Sequence, residues 1–289
     1  MTGTTKRNIP VLYCSGTGLA ETWEKAVLMT HQKGMDIKTQ YDKPDDPPSK
    51  DCSMIMVVDD PLAEPMIHLD FPGGLEDLQE YCMEVLDGIK DHCVRDQRDP
   101  DDHRWEYTYH QRLFQYNVPG RDGCWNVYDQ IRTMAQKLAK TPYTRRAQAV
   151  TWKVWEDNDC YDPACLQSIW CRIVVDDADK WWLNTNVRFR SNDAYKAAFM
   201  NMFALTMLQK LIAETIATYT GHEVGLGRYM HEADSFHIYG SYFREFNDRF
   251  LEGFNRRPLF QDRTMAYSTA KEIMDEAIPA ILTKAAAMR

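Results

Sequence analysis

Apolar and polar residues follow one another along this chain in two rhythms, and each rhythm predicts elements. Leu19, Trp23, Val27 and Thr30 recur at helical spacing with Gly34 as a stop, which predicts a helix over residues 19–33. Gly16 and Gly18 just before it lack the third glycine and the Lys-Ser/Thr of a phosphate loop, and read as a turn. Residues 41–51, YDKPDDPPSKD, form a proline- and aspartate-rich loop. Met54–Val58 and Met66–Leu69 read as strands, Leu75–Gly88 as a helix, and Lys90–Arg104 as an exposed polar loop. Val127, Ile131, Met134 and Leu138 predict a further helix that ends before Pro142.

The centre of the chain changes rhythm. Ile169, Cys171, Ile173 and Val175 alternate with Trp170, Arg172 and Val174; the run Asp176–Lys180 supplies a turn. Leu183, Thr185, Val187 and Phe189 then alternate with Asn184, Asn186, Arg188 and Arg190, which predicts a hairpin with one polar face. That face is either solvated or lines a polar site or a subunit interface. Met202, Leu205, Leu208, Ile212 and Ile216 return to helical spacing and predict a long, mostly buried helix over about 194–219 that stops near Gly221. A last helix is expected with Thr269 and Glu272 as a capping box and a break or kink at Pro279. Strands and helices mix without regular βαβ alternation, so the fold class is α+β: a mixed β-sheet with packed helices and a long buried central helix.

Composition narrows the function classes. The 289 residues are 44% hydrophobic and 27% charged, as expected of a globular chain with a large core. No stretch approaches the roughly 20 apolar residues that span a bilayer, and the start MTGTTKRNIP has no apolar signal core, so a cytoplasmic protein without a membrane partner is expected. A net charge of −9 disfavours nucleic acid. A small anion remains compatible, because positive charge gathers at Arg145–Arg146 and at Arg188 with Arg190. The eight cysteines form no CxxC pair and are expected as thiols rather than as a disulfide framework. His92, Cys93, His103 and His110 match no common zinc spacing, so no metal is expected.

Taken alone, Cys165 in DPACLQSIWC is one cysteine at the mouth of a predicted strand, and a structural thiol is the ordinary reading. An arginine on the partner strand, Arg190, would favour the thiolate and turn it into a nucleophile. Several segments in order carry more. TRRAQAVTW (Thr144–Trp152), DPACLQ (Asp162–Gln167), RSNDAYKAAFMN (Arg190–Asn201), the long helix and ADSFHIYGSY (Ala233–Tyr242) resemble the thymidylate synthase family and its pyrimidine hydroxymethylase relatives, and DQI at Asp129–Ile131 fits the helix before the paired arginines. The resemblance covers about 110–242, within a single domain expected over 1–289 that adds a divergent N-terminal part and a C-terminal helical extension.

The resemblance implies a one-carbon transferase. Its partners would be a pyrimidine nucleoside monophosphate, dUMP, with 5,10-methylenetetrahydrofolate as cosubstrate, acting in a homodimer with shared active sites. It implies Cys165 as nucleophile, Arg190 and Ser191 as phosphate ligands, and Arg145 and Arg146 reaching that phosphate from the other subunit. Asn201 falls where the family reads the pyrimidine edge, His237 and Tyr239 where it contacts the sugar 3′-hydroxyl, and Asp193 where it meets the pterin. Glu80, with Glu84 as its rival, matches the glutamate that serves the base carbonyl, and Tyr107 or Tyr109 the tyrosine that assists loss of the C5 proton. The chemistry agrees with these residue types. A thiolate adding to C6 makes C5 nucleophilic, forked arginine donors suit a dianionic phosphate, and an amide suits the N3–H and O4 of uracil.

The chain also departs from the family pattern. Leu166 replaces the histidine after the nucleophile, Lys90–Arg104 lacks tryptophan, the last residues are TKAAAMR rather than an apolar closing tail, and the N-terminal loop DPPSKD offers Lys50 in place of an arginine. These losses weaken the exclusion of water that hydride transfer needs, and point to hydroxymethylation of dUMP ahead of reductive methylation to dTMP. A nucleotide-binding relative without catalysis, and a Cys165–His237 hydrolase, are the readings from other classes.

Overall fold

The computed structural model describes residues 7–96, 99, 101–121 and 123–288. The first six residues, and part of the polar stretch 90–104, lie outside them.

In chain order the elements begin with β1 (Val11–Gly16), α1 (Leu19–Lys33), β2 (Met35–Ile37), β3 (Ser49–Val58), β4 (Ile67–His68) and α2 (Leu75–Asp87). There follow α3 (Tyr109–Phe114), β5 (Tyr116–Pro119), β6 (Trp125–Tyr128), α4 (Gln130–Lys140), β7 (Ala147–Val150), α5 (Val154–Asp157), β8 (Leu166–Val175) and β9 (Trp181–Asp193). The chain closes with α6 (Ala198–Thr220), β10 (Val224–Ile238), α7 (Phe243–Glu245), α8 (Glu252–Arg256), β11 (Thr264–Met265) and α9 (Tyr267–Ala286). A seven-stranded sheet in the order β1-β3-β10-β9-β8-β7, with β2 also on β3, forms the spine. Its pairs are mixed: β10 runs parallel to β9 and antiparallel to β3, and β8 and β9 form the antiparallel hairpin the alternation predicts.

One face of the sheet makes the core. Met54, Met56, Ile169, Cys171, Leu183, Val187, Phe189 and Ala233 point into it and are buried under α1, α4 and α6. Alternation puts their neighbours on the other face, where Trp170, Arg172, Asn184, Asn186, Arg188 and Arg228 stay partly or fully exposed. The long helix α6 is apolar nearly all round, as a helix wedged between a sheet and other helices must be. Gly221, at φ 74°, closes it in the left-handed conformation that glycine adopts without strain. The fully buried Trp23 of α1 donates from Nε1 to the Ala194 carbonyl at 2.9 Å, which ties the first helix to the end of β9.

Several boundaries move for identifiable reasons. β3 starts at Ser49, so the end of the predicted 41–51 loop is strand: β2 pairs with it through Met35 and Asp51. The strand expected at 66–69 shrinks to two residues. Val127 belongs to the exposed hairpin strand β6, and Asp129 caps α4 by accepting from Arg132 N at 2.8 Å. α6 begins four residues later than predicted, because the Asp193 carboxylate takes the N–H groups of Tyr195 and Lys196 at 3.0 and 2.8 Å and holds a turn there. The capping box at Thr269 and Glu272 does not form. α9 already begins at Tyr267, whose N–H is met by the distant Glu64 carboxylate at 2.9 Å. Pro279 leaves the helix continuous to Ala286, where an apolar stripe of Ala270, Met274, Ile281 and Ala285 is buried. Within the polar stretch 90–104, Cys93 and Val94 are buried and Val94 bridges to Trp105.

Candidate active site

Strand register gathers one end of the sheet into a site. Asp51 near the start of β3 lies opposite His237 at the end of β10, and His237 lies opposite Asp193 at the end of β9. Cys165 sits just before β8, and its carbonyl accepts from Arg190 N at 2.9 Å. Four distant stretches of sequence thus meet at one edge. The first turn of α6 adds Asn201, α2 adds Tyr81, and Tyr109 closes a side.

The edge opens into a two-lobed cleft. The inner lobe, about 420 Å³, is walled by Tyr81, Tyr109, Asp193, Lys196 and Asn201 among others. The outer lobe, about 940 Å³, includes Lys38, Tyr41, Asp51, Asp162 and Arg190. Cys165, Ser191, His237 and Tyr239 line both, so the thiol stands where the lobes join.

Each group in the cleft is held by its neighbours. Arg190 donates from Nε to the Ala164 carbonyl at 3.1 Å and from Nη2 to the Pro163 carbonyl, which clamps the turn carrying Cys165 beside a fixed cation. The Tyr107 and Tyr109 hydroxyls accept from the backbone N–H of Cys165 and Leu166 at 3.4 and 3.2 Å. Burial raises the Cys165 thiol above its ordinary value; the Arg190 guanidinium pulls the other way, Asp162 adds to the rise, and the Tyr107 hydroxyl opposes it. Cys14 and Cys171, buried off the cleft, are pushed to about 12 by burial and stay inert thiols. Ser235 donates to Asp51 at 2.9 Å and lies 3.2 Å from His237 Nδ1, and burial raises the Asp51 carboxyl. Asp193, besides its turn, accepts from the Tyr242 hydroxyl.

The structure brings together most of the residues singled out in the sequence: Cys165, Arg190, Ser191, Asp193, Asn201, His237 and Tyr239 all line the cleft. Tyr107 lines an adjoining pocket with Tyr81, Glu84, Trp105 and Asp162. Others stand elsewhere. Glu80 is held at 2.7 Å by both Lys90 and Lys284, and although burial pushes its carboxyl up, these two ammonium groups keep it below the usual range. The neighbouring Tyr81 faces the cleft instead. Lys50 pairs with Asp36 at 2.6 Å, and Lys38 is the lysine that lines the outer lobe. Arg145 and Arg146 lie exposed before β7, away from the cleft of their own chain.

Sequence reasoning missed Tyr81, Asp51 and Lys196. Tyr81 was hidden by its charged neighbour and Asp51 by the proline-rich loop that precedes it. The helical period of α2 carried the only usable signal, since Leu78, Tyr81, Cys82 and Val85 share one face.

Among the described residues no group of three or more His, Cys, Asp or Glu is placed to hold a metal ion. No helix is long and apolar enough to cross a membrane.

Comparison with known proteins gives a consistent picture. The profile of the family described as thymidylate synthase matches residues 77–276. A protein of Methanosarcina mazei, provisionally named a thymidylate synthase, is 27% identical over 208 residues, which cover 71% of this chain and 77% of the relative. One of Methanocaldococcus jannaschii, with the same provisional name, is 33% identical over 175 residues, covering 58% and 66%. Among solved structures, thermostable thymidylate synthase A from Bacillus subtilis superposes with a TM-score of 0.56 at 19% identity over 81% of this chain and 84% of that one, a likeness of fold.

Proposed function

Because this chain belongs to the thymidylate synthase family of one-carbon transferases, we propose that it hydroxymethylates C5 of dUMP through a covalent adduct at Cys165. The observation that carries this reading is the position of the thiol at the junction of the two lobes, beside Arg190 and across from Asn201. The outer lobe gathers Arg190, Ser191 and Lys38, donors that suit a nucleotide phosphate. His237 and Tyr239, ring centroids 4.5 Å apart, lie between the lobes where a sugar would sit, and Asn201 faces the base. The Cys165 thiolate adds to C6 and an enolate forms; C5 is then the nucleophile, and the charge on O4 needs a donor such as the Asn201 amide. Tyr107 and Tyr109 stay protonated, since burial raises both phenols, so they do not take the C5 proton themselves; at the backbone of Cys165 and Leu166 they can position the water that does.

The one-carbon donor of this reading is 5,10-methylenetetrahydrofolate, which supplies carbon at the oxidation level of formaldehyde. The inner lobe fits such a group. The Asp193 carboxylate offers an acceptor to the N–H edge of a pterin, and Lys196, paired with Glu245 at 2.8 Å, lines the same lobe. After carbon transfer, loss of the C5 proton breaks the methylene–N5 bond and releases tetrahydrofolate, leaving an exocyclic methylene on the Cys165 adduct. Water adds to that methylene as the Cys165–C6 bond breaks, giving the hydroxymethyl product and returning a proton with the thiol. Support for water over hydride comes from the continuity of the inner lobe with a 940 Å³ outer lobe and from α9, which packs on α2 rather than over the cleft. The names of the methanogen relatives favour a second reading, reductive methylation to dTMP.

Incubation of the protein with dUMP and methylenetetrahydrofolate decides between them. The account expects 5-hydroxymethyl-dUMP with tetrahydrofolate; dTMP with dihydrofolate selects the second reading, and neither product overturns both.

A homodimer with shared sites belongs to the same proposal. It is supported by the face of the sheet that carries Trp170, Arg172, Asn186 and Arg228, and by Arg145–Arg146 at its rim, exposed and remote from the cleft of their own chain.

A further inference from the structure

Tyr81 is half-buried in the wall of the cleft, and its hydroxyl donates to Asn201 Oδ1. Among the described residues that bond is the phenol's single hydrogen bond, and the Asn201 amide nitrogen has no partner. Both side chains wall the inner lobe together with Cys165. α2 holds the phenol in place: on the next residue, Glu80 is pinned by Lys90 and by Lys284 of α9.

An amide by itself is ambiguous. One orientation offers N–H to O4 and a carbonyl to N3–H, which suits uracil. The flipped orientation offers a carbonyl to the N4 amino group and an N–H to N3, which suits cytosine. A phenol is the stronger as a donor, and here its proton has one acceptor, Asn201 Oδ1. Flipping the amide would turn Nδ2 toward the phenol oxygen and take the acceptor away from the phenol proton. The phenol would then only accept from a weaker amide donor, a loss of about fivefold in the equilibrium between the two orientations. The unflipped amide still has a second lone pair on Oδ1 for N3–H, and both hydrogens on Nδ2 remain for O4.

We propose that Tyr81 is a specificity-positioning residue. By donating to Oδ1 it fixes the Asn201 amide in the orientation that reads uracil, and it makes the site reject cytosine. The inference rests on the reading of Asn201 as the group that meets the base. It assigns to an uncharged hydroxyl, one residue from Glu80, the control of how the base edge is presented. Burial raises the phenol well above its ordinary value, so this donor persists throughout the working pH range.

The test is the ratio of kcat/KM for dUMP over dCMP in wild type, Tyr81→Phe and Asn201→Asp. Equilibrium binding of the two nucleotides gives the same ratio where turnover is lost. Phe keeps the ring and removes the proton that enforces orientation. Wild type should favour dUMP, Asn201→Asp should move toward dCMP, and Tyr81→Phe should lower the ratio about fivefold. A merely structural role for Tyr81 would depress both nucleotides alike and leave the ratio in place. A wild-type preference for dUMP that Tyr81→Phe retains within twofold, a narrower margin than the loss of one buried partner, overturns the inference alone. A wild type that favours dCMP overturns the Asn201 reading as well.

Discussion

Cys165 is a half-buried thiol beside one arginine, and the balance between those two facts sets its reactivity. Burial raises its pKa and Arg190 opposes the rise, so the thiolate is a minor species at neutral pH and grows as pH increases toward the raised value. Alkylation of Cys165 by iodoacetamide should therefore accelerate steadily from neutral into alkaline pH. Arg190→Gln removes the opposing cation, moves that limb to higher pH, and slows neutral alkylation about tenfold for each unit of displacement. An unchanged limb in Arg190→Gln would show that the guanidinium does not tune the thiol. The sequence suggested this pairing through alternation alone, since Arg190 falls on the polar face of a predicted strand next to the one that Cys165 begins. It could not show that Arg190 also grips the Pro163 and Ala164 carbonyls, because that depends on how the turn before β8 folds back. The same limit hid Tyr81. Its neighbour Glu80 carries the more conspicuous side chain, and only the rotation of α2 decides which of the two faces the cleft.

At the scale of elements, a buried ion pair stands beside the tyrosines that bond the backbone at Cys165 and Leu166, with the Arg112 guanidinium over the Tyr107 ring. Arg112 of α3 makes two bonds of 2.8 Å to Asp157 and one of 3.0 Å to the Thr151 carbonyl, with both charged side chains almost fully buried. Lys153 lies in the same cluster, and burial with help from Arg112 lowers its ammonium to about 8. Truncating Arg112 removes two of the bonds that hold the Asp157 carboxylate and leaves it the Lys153 backbone N–H at 2.6 Å, so Arg112→Met should lower stability by about 3 kcal/mol in urea unfolding. Adding Asp157→Leu should restore a large part of that loss; a double variant as unstable as the single one would mean that packing rather than charge dominates. Such pairs are illegible in sequence, because residues 112 and 157 belong to no common pattern. Local patterns fared better. The β8–β9 hairpin, α1 and the stop of α6 at Gly221 follow from spacing and turn chemistry that act over a few residues. The start of α9 did not, because its cap comes from Glu64, about 200 residues away in the chain, and no short-range rule for caps reaches that far.

For the whole molecule, the central expectation is that two chains complete each other's sites. Arg145 and Arg146 carry charge suited to a phosphate but stand outside their own cleft, and one face of the sheet presents partly or fully exposed side chains, Trp170, Arg172, Asn186 and Arg228 among them. Mixing inactive Arg146→Ala subunits with inactive Cys165→Ala subunits should restore up to about a quarter of wild-type activity. Half of the dimers are hybrids when exchange is random, and each hybrid has one intact site of two, as an isologous interface across a twofold axis requires. No recovery in demonstrably mixed dimers would confine each site to one chain.

The claim beneath all of this is that Cys165 forms a bond with a pyrimidine nucleotide, and one measurement reads it directly. The protein is incubated with 5-fluoro-dUMP and methylenetetrahydrofolate, denatured, and weighed by mass spectrometry, with Cys165→Ala alongside. Fluorine at C5 cannot leave as a proton does, so the covalent complex should accumulate and survive denaturation. The account predicts one nucleotide plus one folate per chain, mapped to the peptide that carries Cys165 and absent from Cys165→Ala. An unmodified wild-type chain, or an adduct on any other residue, would contradict it.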